Sequence, residues 1–154
     1  MESTLNRQLE LLQAGGAHLF LKETLHGVEK EGLRVDRTGQ LSQKPHPPGL
    51  GSALTNRNIT TDFSESQLEL ITPVYQDPET ALQFLSDLHG FVYSHLDEEL
   101  IWAGSMPCHI PDPGRIPIAR YGSSNVGQMK YVYRIGLEHR YGKLMQSIAG
   151  IHYN

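Results

Sequence analysis

Five residues of this 154-residue chain have the types and settings that suit chemistry with a hard cation: Glu29, Glu31, Asp62, Glu69 and His152. Glu29 and Glu31 stand one residue apart in "GVEKEGLRV" (27 to 35), which reads as a β-strand. Alternation then puts Glu29, Glu31, Leu33 and Val35 on one face and Val28, Lys30, Gly32 and Arg34 on the other. Asp62 and Glu69 lie in "NITTDFSESQLELITPV" (58 to 74), two short extended pieces around a polar turn, in which Gln67, Glu69 and Ile71 share a face. A divalent ion such as Mg²⁺ takes octahedral oxygen ligands from a few carboxylates, waters and substrate phosphates. Converging strands can deliver those oxygens, because the cation neutralises the cluster. On spacing alone a plainer arrangement is commoner: a solvated sheet face whose acids pair with Lys30 or Arg34. A lone strand histidine such as His152 is likewise more often structural than a ligand, and Tyr133, on a helical stripe, more often core or rim than a substrate contact.

The elements that must carry these residues read as α+β. Ser3 caps a helix with Leu5, Leu9 and Leu12 on one side, stopped by Gly15-Gly16. After the 27–35 strand, "DRTG" (36 to 39) forms a turn and the chain returns through 40–44 as a hairpin. Asp77-Pro78-Glu79 starts a second helix whose apolar face, Ala81, Leu82, Leu85, Leu88, Val92, Leu96 and Leu100, runs to about Trp102. Four prolines between 103 and 117 enforce an irregular connection. A third helix carries Met129, Val132, Tyr133 and Leu137 and ends before Gly142. "KLMQSIAGIHYN" (143 to 154) is then extended, with Gln146, Ile148, Gly150, His152 and Asn154 on one side.

Composition narrows the classes. A 38% hydrophobic and 19% charged chain is that of a soluble globular domain. A net charge of −4 with scattered Lys and Arg argues against a nucleic-acid partner. No apolar run approaches the roughly 20 residues of a membrane helix, and the amino terminus lacks a signal pattern, so a cytoplasmic location is expected. The single cysteine, Cys108, forms no internal disulfide, and adjacent His109 points away from it in an extended segment, so Cys108 is read as structural. "YGSSNVG" lacks the pattern and strand context of a P-loop.

Taken together, "GVEKEGLRV", "LGSALTNRNITTDFSESQLELITPV", "SMPCHI", "ARYGSSNVGQMKYVYRIGLEHRYG" and "LMQSIAGIHYN" resemble the bacterial glutamate–cysteine ligase (γ-glutamylcysteine synthetase) family of the enterobacterial type, in the family's order from Gly27 to Asn154. The resemblance implies a partial glutamine-synthetase-like fold, a curved antiparallel sheet funnel with flanking helices. It implies that Glu29, Glu31, Asp62, Glu69 and His152 hold Mg²⁺, or Mn²⁺, against ATP. His152 is the implied catalytic residue, and Phe63, Tyr133, Leu137 and Gln146 the implied cysteine pocket. The implied reaction joins the γ-carboxylate of L-glutamate to the amine of L-cysteine through γ-glutamyl phosphate, the first step of glutathione biosynthesis.

Members of the family are several-fold longer. Residues 1–154 are therefore expected to be the amino-terminal part of one catalytic domain, cut after the "HYN" strand and inactive alone, with self-association through the sheet edge at 144–154. The alternatives are a stand-alone metal- or amino-acid-binding module without catalysis, and a metal-assisted hydrolase using the same acids.

Overall fold

The computed structural model describes residues 3–154. Helix α1 (Thr4–Ala14) begins where the Ser3 hydroxyl accepts from the Asn6 amide at 3.2 Å and stops at Gly15. Gly16 then adopts φ +68°, and a 3-10 turn spans Ala17–Glu23. None of the α1 residues is buried.

Strand β1 (Val28–Val35) is the centre of the sheet. The turn after it is held by Asp36, whose Oδ1 accepts from the amides of Thr38 and Gln40, with Gly39 at φ +81°. The expected return strand over 40–44 is reduced to one bridge, Val35 to Leu41. The reason lies at Arg34, whose amide donates to Ser66 and whose carbonyl accepts from Ser42, so the returning chain is drawn off to one side. Strands β2 (Ile59–Thr61) and β3 (Gln67–Ile71) follow as an antiparallel pair.

Helix α2 (Pro78–Tyr93) is capped by Asp77, which accepts from the amides of Glu79 and Thr80. It ends well before Trp102. The Ser94 hydroxyl donates to the Phe91 carbonyl at 2.7 Å, and Asp97 takes φ +51°, so the chain turns and Leu100–Ile101 become β4 against Arg34 and Val35. Leu96 reaches the core from this turn, whereas Leu82 and Leu100, expected on the buried face, are exposed. Helix α3 (Asn125–Tyr141) starts at the Ser124 cap and stops at Gly142, φ +80°. Residues 143–154 are not continuously extended: the Ser147 amide and hydroxyl bond back to Leu144 and Lys143, closing a 3-10 turn at Met145–Ser147. Only Ile151–Tyr153, β5, pairs with β1.

The sheet runs β2-β3-β1-β4, with β5 also on β1. Its two faces differ in chemistry. Val28, Ile59, Leu68 and Leu70 pack with Leu50, Leu96 and the α2 residues Leu85 and Val92 into the main core. On the opposite face, Leu33 and Val35 are covered by Cys108, Leu41 and Ile110, so Cys108 is a buried packing residue. That cover ends before Glu31.

Arg34, 1% exposed, ties four segments together: it donates to Glu99 Oε2 at 2.6 Å and to the carbonyls of Lys44, Pro45 and Glu65. Removing one partner of a buried ion pair strands the other charge, at a cost of about 3–5 kcal/mol. Glu99→Ala should therefore destabilise the chain by about that amount in urea unfolding, and an Arg34→Met/Glu99→Leu double variant should lose less than Glu99→Ala alone.

Candidate metal-binding acid face

Pairing register decides which carboxylates meet. Glu31 lies directly opposite Glu69 across β1 and β3, and Glu29 opposite His152 across β1 and β5. Thr60 faces Glu69 from β2, and Asp62, two residues on, continues the same side as its amide donates to the Gln67 carbonyl at 3.0 Å. Residues far apart in the chain thus share one face. Like charges placed directly opposite across an antiparallel pair repel, and here they also lose water.

Each acid meets a different environment. Glu29 accepts from Asn154 Nδ2 at 3.3 Å and lies 3.3 Å from His152 Nδ1. Glu31 accepts on one oxygen, Oε2, from the Gly150 amide at 2.8 Å and from Gln67 Nε2 at 3.1 Å. Burial raises its carboxyl above the ordinary range, opposed by the Gly150 hydrogen bond. Asp62 is raised for the same reason, with the Arg134 guanidinium opposing. Glu69 is pushed up to about 7, by burial first and then by the charges of Asp62, Glu31 and Glu29.

Lys30 and Arg34, the partners a solvated face would use, do not serve these acids. Arg34 is spent on Glu99 beneath the opposite face, and Lys30 Nζ donates, among the described residues, to the backbone carbonyl of Glu31 at 3.4 Å. Arg134, unremarked in the sequence, does approach: its Nε donates to the Asp62 carbonyl at 2.6 Å while its guanidinium stacks on Tyr121. Tyr121 in turn donates to the Thr61 carbonyl at 2.7 Å. No spacing rule marks these two, because their link to Asp62 spans about sixty to seventy positions.

The carboxylates of this donor set suit a hard divalent cation: they gather excess negative charge, and the Glu69 carboxyl is raised first by burial and then by the charges of its neighbours. The side chains do not close on a common point. Among the described residues, no three His, Cys, Asp or Glu side chains form a group able to hold one ion. Glu29 and Glu31 are instead turned to protein partners.

The four residues of the expected cysteine pocket are less gathered. Phe63 is 1% exposed, beside Asp62; Tyr133 is exposed on α3, and Leu137 lies partly buried one turn on. Gln146 is partly buried in the 3-10 turn rather than on an extended strand. A hollow of about 380 Å³ between the 38–43 turn and residues 109–115 touches none of the acids. No helix among the described residues is long and apolar enough to cross a membrane.

A mixed helix and antiparallel-sheet chain with a carboxylate-bearing sheet face is the class that fold and site define. The match to the family described as glutamate-cysteine ligase covers residues 9–154, and the chain belongs to that family. It is 58% identical over its whole length to the glutamate–cysteine ligase of Pseudomonas putida (strain W619) and 57% identical to that of Pseudomonas entomophila (strain L48). It spans 29% of the length of each of these relatives. A crystal structure of glutamate–cysteine ligase from Francisella tularensis in complex with AMP superposes with a TM-score of 0.82 at 48% identity, over 84% of this chain and 26% of that one. A bifunctional glutathione synthetase from Pasteurella multocida does so with a TM-score of 0.77 at 38% identity, over 87% of this chain and 17% of that one.

The raised Glu69 carboxyl fixes a sign for pH dependence. The folded chain keeps a proton on Glu69 to about 7, where the unfolded chain releases it near 4.5. Stability from this group is therefore full below 4.5 and lost as pH rises through about 7. Without metal, the melting temperature of Glu69→Gln relative to wild type should rise between pH 6 and pH 8, as followed by circular dichroism. A constant difference between the two would contradict a shared charge field.

Proposed function

We propose that this chain supplies the metal-binding face of an ATP-dependent ligase that joins the γ-carboxylate of glutamate to the amine of cysteine, through γ-glutamyl phosphate. The single observation that carries the proposal is the gathering of Glu29, Glu31, Asp62 and Glu69 on one sheet face, opposite the core, in a chain of this family. The AMP complex of the Francisella relative supports a nucleotide substrate. In this reading the sheet is one wall of a glutamine-synthetase-like funnel.

Mg²⁺, or Mn²⁺ in its place, would be held by Glu29, Glu31, Asp62, Glu69 and His152, and when bound would neutralise phosphate charge and stabilise the charge that develops in phosphoryl transfer. The acids keep that region negative, with Glu29, Glu31 and Glu69 on strands and Asp62 in the bend just after β2. His152, at 3.3 Å from Glu29, would contact a phosphoryl oxygen, with the Glu29 carboxylate orienting its ring. Phe63, Tyr133, Leu137 and Gln146 would surround the cysteine: apolar and aromatic groups suit the thiol, the hydroxyl and amide its polar end.

The test is phosphate release by the intact gene product with ATP, glutamate and cysteine. Glu31→Gln and His152→Ala should each lower kcat by about a hundredfold or more, with the melting temperature kept. Release without dependence on glutamate would instead favour the metal-assisted hydrolase. A His152→Ala variant with normal turnover and a lower melting temperature would return His152 to a structural role.

A further inference from the structure

We propose that Gln67 is a positioning residue: its buried side-chain amide fixes the Glu31 carboxylate and the segment leading to His152, so that both are presented to a divalent cation. The proposal rests on the cation reading above.

Gln67 is 0% exposed and lies at the start of β3, opposite Leu33. Its Nε2 donates to Glu31 Oε2 at 3.1 Å and to the Ile148 carbonyl at 3.3 Å. The Ile148 carbonyl is acceptor-only and the Glu31 carboxylate accepts here, so the amide has one workable orientation. A flipped amide would set oxygen against oxygen at both. That orientation leaves Gln67 Oε1 buried with no hydrogen-bond partner among the described residues. A buried unpaired acceptor costs about 1–3 kcal/mol. A methionine of the same length would fill the space without that cost, so what distinguishes glutamine here is the pair of donors.

What the donors hold is the junction of three segments. Glu31 Oε2 also accepts from the Gly150 amide at 2.8 Å, and the Glu31 amide donates to the Gly150 carbonyl at 2.9 Å. Every donor recorded on Glu31 falls on Oε2, leaving Oε1 without a protein donor among the described residues. Residues 148–150 are thereby fixed just before β5, whose three residues are exposed and are held by pairing with β1 and by Tyr153 stacking on His26. The His152 ring folds back over Gly150, where an added Cβ would come within 2.6 Å of His152 Nε2. The direction of the His152 ring thus depends on how firmly 148–150 is held as well as on its pairing with Glu29.

Groups that orient metal ligands through hydrogen bonds change metal affinity by about 10- to 100-fold when removed. The test is Mn²⁺ binding to the intact gene product, followed by the electron paramagnetic resonance of free Mn²⁺, in wild type, Gln67→Met and Gln67→Leu. Hydrogen exchange of a peptide covering 148–154 is measured on the same samples without metal. The expected result is a Kd for Mn²⁺ weaker by about tenfold or more, faster exchange in 148–154, and a melting temperature unchanged in Gln67→Met. Should Gln67→Met fail to fold, Gln67→Leu carries the affinity comparison. Wild-type affinity in the variants, whatever their melting temperature, overturns the positioning role and leaves the cation reading standing. A wild type that binds no Mn²⁺ overturns the cation reading and this proposal with it.

Discussion

The register of β1 against β3 sets Glu31 opposite Glu69, Gly32 opposite Leu68 and Leu33 opposite Gln67. Side chains alternate with a period of two, so a slip of one residue would send the acids into the α2 core and bring Leu68 and Leu70 out. The apolar face therefore enforces the placement of the charged one. Burial of Val28, Leu68 and Leu70 against Leu85 and Val92 supplies the free energy that holds Glu31 and Glu69 together despite their repulsion.

Arg34 secures the same register by a different means. It lies on the core side of β1 and bonds Glu99 after α2, the 44–45 loop and the carbonyl of Glu65 in the β2–β3 turn. A guanidinium with its donors in a fixed fork is suited to such a junction. Because its charge is matched by Glu99 within the core layer, it contributes little to relieving the acid face. Two charge systems thus sit back to back across one strand, one a balanced ion pair closed by protein partners and the other left with excess negative charge.

Much of this was legible in the sequence where the signal is local. The caps at Ser3 and Asp77, the stop at Gly142 and the two-residue period of 27–35 and 67–71 depend on neighbours a few positions away, and the structure follows them. The apolar repeat from Ala81 to Leu100 misled beyond Tyr93, because Leu96 is buried from a turn, at a position the helical period also predicts. The extended pattern of 143–154 failed because serine hydroxyl and backbone bonds at 144–147 close a turn that alternation does not register. Tyr121 and Arg134 were invisible for another reason: their partners are backbone carbonyls of residues 61 and 62, contacts that leave no trace in spacing.

On the cation reading, the acid face would couple two ligands that compete for the same charge. A proton on Glu69 relieves the repulsion from Asp62, Glu31 and Glu29, and a divalent cation would relieve it in the same place. Metal binding through carboxylates releases the protons they carry. With the Glu69 carboxyl pushed up to about 7, a cation bound there near neutral pH would displace a fraction of a proton, and its affinity would rise as pH rises through that value. On the proposed cation reading, the destabilisation that Glu69 suffers above this pH would be returned as binding free energy to a divalent cation, so the repulsion held in place by the register would favour cation binding.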